Sequence, residues 1–210
     1  MQNQSLKLES TQNNLPQKHN DSANTIDIVK LRKYEIYKCE NDPKYFIDNY
    51  VKIIGEGGAV IPFKLYDYQK EAVDTFIENK FTIILKGRQL GISETVAAYV
   101  LWMINFVPNQ NIIVMGNKSA TSEEMMRRVQ YGHSMLPSWL RKKEVKKNTS
   151  YFELSTGSRF TAIATTKDAG RSAACNLFII DEAAFVEWAD EIWTAAYPTV
   201  TQINGSVIML

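Results

Sequence analysis

Two short stretches of this 210-residue sequence carry side chains whose types and spacing suit polyphosphate chemistry. The first is Lys86-Gly87-Arg88-Gln89-Leu90-Gly91-Ile92-Ser93, set between a strand-like run, Phe81 to Leu85, and an apolar helical run, Glu94 to Phe106. A loop that leads from a strand into a helix gathers free backbone N–H groups and the positive end of the helix dipole, so it wraps anions. Gly87 and Gly91 stand where such a loop needs backbone free of side chains. The usual pattern of Gly, four residues, then Gly-Lys-Ser/Thr is met only in part. Lys86 takes the first Gly position and Ile92 the Lys position, while Ser93 keeps a hydroxyl suited to a magnesium ion. The ammonium that normally neutralises the outer phosphates is missing at 92, and Lys86 can reach them from the front of the loop.

The second stretch is Leu177-Phe178-Ile179-Ile180-Asp181-Glu182. A carboxylate at the tip of a buried apolar strand must be paired or metal-bound, because an isolated charge near a core is costly. Asp181 then holds magnesium through water, and Glu182 polarises an attacking water. The alternative is that both acids open a helix, where the dipole favours them. A third element is Tyr66-Asp67-Tyr68-Gln69, in which the Gln69 amide can pair with an adenine edge and Tyr68 can stack on the ring. An ordinary helix start fits that tetrapeptide equally well.

The elements that must position these groups follow from the hydrophobic pattern. After Lys64, helical and strand-like segments alternate, as in an α/β domain with a mainly parallel sheet. The pattern predicts a helix over 68–79, a buried strand over 81–85, a helix over 94–106 and a strand over 111–115. Thr121 to Glu124 has capping-box spacing and should open a helix toward Met135, ended by Pro137. Tyr151 to Leu154 and Arg159 to Ala164 flank Ser155 to Ser158 as a hairpin on the sheet edge. Leu177 to Ile180 and Val207 to Leu210 read as fourth and fifth strands. Both chemical stretches then fall at the C-terminal ends of parallel strands, where open α/β sheets bind ligands. Residues 1–27 are polar and read as a disordered tail, 28–64 as a helical segment packing on the body, and 65–210 as the main domain.

A net charge of +1 gives no global basic field, so contact with nucleic acid would have to come from local patches. Arg141 to Lys147 is the densest basic run, suited to phosphate backbone or to a solvated loop. Cys39 and Cys175 lack metal or redox spacing and read as reduced, buried thiols; with two histidines only, a histidine metal site or catalytic triad has little to draw on. No apolar run is long enough to span a bilayer, and the expected setting is intracellular.

Taken in order, Leu65 to Gln69, Lys86 to Ser93 and Leu177 to Phe185 resemble the adenine-binding, Walker A and Walker B segments of the large terminase subunits of tailed phages. The likeness runs from about Tyr34 through Asp42-Pro43 to the last residue, and Arg-Gln-Leu-Gly is its most specific piece. It implies a P-loop NTPase of the additional-strand, catalytic-glutamate type with a mainly parallel central sheet. It also implies ATP and Mg2+ as cofactors, with Tyr68, Gln69, residues 86–93 and Asp181 around the nucleotide. The front-placed lysine matches Lys86, and Arg88 matches an arginine acting in cis on the transferring phosphate. Lys118 and the loop from Thr165 to Arg171 are implied to lie near the nucleotide or the DNA-facing surface. The implied partners are double-stranded DNA, the portal protein, the small terminase subunit and further copies in a ring. The implied place is the cytoplasm of an infected bacterial host, transiently at the procapsid portal. Measured against that family, the chain is expected to stop before the coupling motif, leaving the sheet incomplete and the nuclease domain absent. Two alternatives stay open: a superfamily-two helicase fragment, against which Ala184 speaks, and a nucleotide-binding remnant without catalysis.

Overall fold

The computed structural model describes residues 21–87, 89–166 and 174–210. Two compact units divide the chain, one ending at Glu35 and the other running from Ile36 to Leu210. The described part of the first is the opening of helix α1 (Asp21–Asn41), so part of the polar stretch expected as a tail is helical.

In the second unit, helix α2 (Pro43–Tyr50) starts on Asp42, whose carboxylate accepts from the backbone N–H groups of Lys44 and Tyr45. Proline follows at the first helical position, where its missing N–H costs nothing. The segment expected to be helical also contains an antiparallel strand pair, β1 (Lys52–Ile54) with β2 (Val60–Pro62), turning through Gly55 to Gly58. Cys39, Phe46, Ile47, Val51 and Phe63 are buried in the same core as the later elements.

Seven strands form the central sheet: β3 (Phe81–Ile83), β4 (Asn111–Gly116), β5 (Glu144–Lys147), β6 (Tyr151–Leu154), β7 (Arg159–Ile163), β8 (Leu177–Asp181) and β9 (Ser206–Met209). Their order is β3-β9-β8-β4-β7-β6-β5, parallel from β3 to β7 and antiparallel for β6 and β5. The alternation of side chains assigns the two faces. Ile112 and Val114 of β4 and Leu177 and Ile179 of β8 join one core with helices α3 (Asp67–Glu78), α4 (Ile92–Phe106) and α5 (Ser119–Met135). Ile113, Met115, Phe178 and Ile180 join a second core with helix α6 (Ala189–Gln202). Strands covered on both faces read as unbroken apolar runs, which is why β4 and β8 stand out in the sequence.

Three expectations are corrected. The strand before the glycine loop is not buried but lies at the sheet edge: Thr82 faces the core, while α6 covers Phe81 through Trp193 and Tyr197 and leaves Ile83 79% exposed. The hairpin of β6 and β7 is internal, and the opposite edge is β5, formed by the basic run itself. Lys146 and Lys147 there lie over the rings of Tyr151 and Phe152, and such lysines discourage edge-to-edge pairing. Helix α5 starts at Ser119 with Lys118 as its cap, so no capping box forms at Thr121, whose hydroxyl donates to the Asn117 side chain.

Candidate functional site

The glycine loop joins β3 to α4, and its turn into the helix is made at Gly91, with φ of 67°. A Cβ at Gly91 would also lie 2.7 Å from Gln69 Nε2, so conformation and space both require glycine. Gly87 is different, for a Cβ there would meet Leu90 at an ordinary 3.6 Å. Gln89 adopts the left-handed region at φ 63°, a conformation other residues hold only when their surroundings impose it. Arg88 lies outside the described residues.

The start of α3 is tied to this loop. The Gln69 side-chain oxygen accepts from Tyr66 N–H at 3.0 Å, and its amide nitrogen donates to the Leu90 carbonyl at 3.1 Å. The Tyr68 hydroxyl donates to that same carbonyl at 2.9 Å. Gln69 is 2% exposed, so the amide expected to read an adenine edge is largely spent on the protein's own backbone. The exposed Tyr66 and Tyr68 rings stack at 5.7 Å.

At the end of the central strand β8, Asp181 is 6% exposed and held by three donors. Lys86 Nζ lies 2.9 Å from its Oδ1, the Glu182 backbone N–H 3.0 Å, and Ser93 Oγ 3.5 Å. Lys86 Nζ also lies 2.7 Å from Ser93 Oγ. Residues far apart in sequence thus meet at one point, and the buried carboxylate has the partners that burial demands. Glu182 follows with φ of 57° and an exposed side chain, and the Ala183 N–H donates to the Leu210 carbonyl at 2.8 Å.

These groups open on a cavity of about 930 Å³, within the range of small-molecule sites. Among the described residues its wall includes Lys86, Gly87, Gln89, Leu90, Gly91, Ile92, Ser93, Asp181 and Glu182, whereas Tyr68 and Gln69 stand behind Leu90. Ile92 is 5% exposed and packs in the main core, so the residue at the usual lysine position is anchored in apolar contacts. A further group escaped the sequence reading. Arg128 of α5 reaches Glu124 at 3.1 Å and Glu94 at 3.4 Å, and all three line the cavity. Burial pushes the Glu94 carboxyl upward, Arg128 opposes this and Glu124 reinforces it. The Glu124-to-Arg128 spacing announces a helix-surface pair, but nothing local places that pair beside Ser93.

Lys118 caps α5, and the Thr165 hydroxyl donates to the Gly116 carbonyl, joining the ends of β7 and β4. Of the same loop, Thr166 is described, while Lys167 and Arg171 lie outside the described residues. Among the described residues no helix is long and apolar enough to cross a membrane.

A loop hinged on glycine, leading from a parallel strand into a helix and separated by the inserted strand β9 from an acidic strand end, defines a P-loop NTPase fold. The chain belongs to a particular family of that class: residues 83–207 match the family described as terminase large subunit, T4likevirus-type, N-terminal. Solved structures share the fold. A mutant of the Thermus phage P74-26 large terminase ATPase domain is 16% identical, with a TM-score of 0.57 over 70% of this chain and 64% of that one. The HK97 bacteriophage large terminase is 17% identical, with a TM-score of 0.63 over 81% of this chain and 36% of that one. The large terminase of a thermophilic bacteriophage is 10% identical, with a TM-score of 0.56 over 70% of this chain and 39% of that one; it is also known in complex with ADP. The chain therefore spans less than two thirds of each of these relatives.

Proposed function

We propose that this chain is the ATP-hydrolysing motor portion of a phage large terminase, which drives double-stranded DNA into procapsids. The observation that carries the reading is the meeting of Lys86, Ser93 and Asp181 within hydrogen-bonding reach on a cavity that Glu182 also lines. The nucleotide is ATP, in keeping with the ADP complex of the thermophilic phage terminase.

Lys86 and the loop amides hold the outer phosphates, where an ammonium and aligned N–H dipoles meet the charge. The donor set suits magnesium: Ser93 Oγ is a hard oxygen for the ion, and Asp181 Oδ1, 3.5 Å from it, would accept from one of the ion's waters. Bound there, magnesium would neutralise charge on the phosphate oxygens. Glu182, exposed on the cavity, orients and deprotonates the attacking water. Arg88 stabilises charge on the transferring phosphate in cis. The partners are the portal, the small terminase subunit and further copies in a ring, in the cytoplasm of an infected host.

Magnesium-ATP binding and phosphate release, measured on the chain and on Lys86→Ala and Glu182→Gln, test the assignment. Lys86→Ala should lose ATP affinity by about tenfold or more, as expected when a charge-assisted contact to phosphate is removed. Glu182→Gln should keep binding and lose phosphate release by about 10²–10⁴-fold, the usual worth of a positioned base. Unchanged hydrolysis in Glu182→Gln removes its role.

A further inference from the structure

Lys86 does more in this arrangement than face phosphate. Its Nζ sits 2.7 Å from Ser93 Oγ and 2.9 Å from Asp181 Oδ1, the two oxygens assigned to the metal. Those oxygens are 3.5 Å apart, and the ammonium lies within hydrogen-bonding reach of both, in the space that a divalent cation and its bridging water would need. Two cations cannot share so small a gap. The ion pair is also sheltered, with side-chain exposures of 20% for Lys86 and 8% for Asp181, so bulk salt screens it little.

We infer that Lys86 acts as a resident stand-in for the divalent cation, which enters only when the ammonium is drawn away by polyphosphate. This rests on the metal assignment of the reading above. Polyphosphate is the stronger partner for the ammonium, offering several charged oxygens where Asp181 offers one carboxylate. The lysine stem starts at the front of the loop, just beyond Ile84, whose N–H is tied to the Met209 carbonyl at 2.9 Å, so the ammonium can swing without moving the strand. Movement of one side chain then couples the two ligands. By linkage, polyphosphate raises metal affinity and metal raises polyphosphate affinity by the same factor. The displaced position of the lysine gains a consequence: the site closes itself to free divalent ions and opens to the metal–nucleotide pair.

The test is a Mn2+ titration followed by the electron paramagnetic resonance signal of the free ion, with no nucleotide present. It compares the wild type, Lys86→Ala, Lys86→Met and the Lys86→Ala/Asp181→Asn double variant, with thermal melts confirming that each is folded. Lys86→Ala should bind Mn2+ about tenfold more tightly than wild type, a typical coupling between sites. Lys86→Met, which keeps the bulk of the stem, should gain in the same direction, and Asp181→Asn should cancel the gain. The inference is overturned if neither lysine variant binds Mn2+ more tightly than wild type, or if the gain survives Asp181→Asn. Because the titration contains no nucleotide, failure of the chain to bind ATP would sink the ATP assignment and leave this result readable.

Discussion

At the scale of single residues, Gln69 spends its side chain on the protein's own backbone. Its type and its place beside two tyrosines point to adenine, yet its oxygen caps α3 through Tyr66 and its nitrogen grips the Leu90 carbonyl. It therefore positions the loop, and Gly91 is glycine in part to admit it. Gln69→Glu keeps the capping oxygen but sets a carboxylate oxygen against the Leu90 carbonyl. Losing that bond and leaving acceptors opposed costs about 1–3 kcal/mol, roughly fivefold to a hundredfold or more in affinity. Affinities for ATP, GTP and inorganic tripolyphosphate, measured by calorimetry, should fall in parallel. A loss confined to ATP would return Gln69 to the adenine edge. Lys86, Ser93 and Asp181 were legible because strand ends and loop spacing fix where such groups point. The Gln69 bond was not, because a side-chain amide chooses between ligand and backbone according to burial, which the tetrapeptide does not reveal.

Among the secondary-structure elements, the pattern located β4, α4 and β8 well because each is an apolar run with one destination. It failed on β5, where a run of lysines reads as loop although backbone pairing with β6 makes it a strand. Packing of α5 against this edge carries a testable charge. His133 of α5 is fully buried, and its Nε2 lies 2.9 Å from the Lys142 carbonyl, so Nε2 bears the proton and donates. Nδ1 then faces Glu144 Oε1 at 3.3 Å without a hydrogen bond. Burial lowers the His133 pKa, with Arg141 acting the same way; the Lys142 carbonyl and Glu144 oppose the shift without cancelling it. A histidine lowered in the folded state binds its proton more readily when unfolded. Its stabilising contribution is therefore complete above an unfolded pKa of about 6.5 and is lost as pH falls toward the folded value. The urea midpoint should drop between pH 7 and pH 5. In His133→Gln stability should start lower at pH 7, by about 1–3 kcal/mol for the disturbed buried contact, and the midpoint should then depend less on pH over that window. An unchanged slope would place the acid sensitivity elsewhere.

For the molecule as a whole, the strand order was the least legible feature, since an unbroken apolar run shows that a strand is buried on both faces but not which strand adjoins it. That β9 slips between β3 and β8 is settled by long-range packing, with Val207 toward α6 and Ile208 toward α4. This insertion gives the site its breadth: the cavity takes its walls from the glycine loop, α4, α5, the tip of β8 and Leu210 after β9. A ligand there touches segments from distant parts of the unit that runs from Ile36 to Leu210, contacts the unfolded chain does not offer. Binding must then stabilise that unit by mass action, by about 2.7 kcal/mol when ligand reaches a hundred times its dissociation constant. For a domain of this size each kcal/mol moves the melting temperature by about 2–4 °C, so magnesium-ATP should raise it by roughly 5–10 °C in a calorimetric scan. ATP with a chelator should give a smaller rise, because Ser93 and Asp181 would then add no metal contact. Asp181→Asn should bring the two scans together. If saturating magnesium-ATP leaves the wild-type melting temperature unmoved, the cavity is not a nucleotide site, however well its oxygens and its ammonium are arranged.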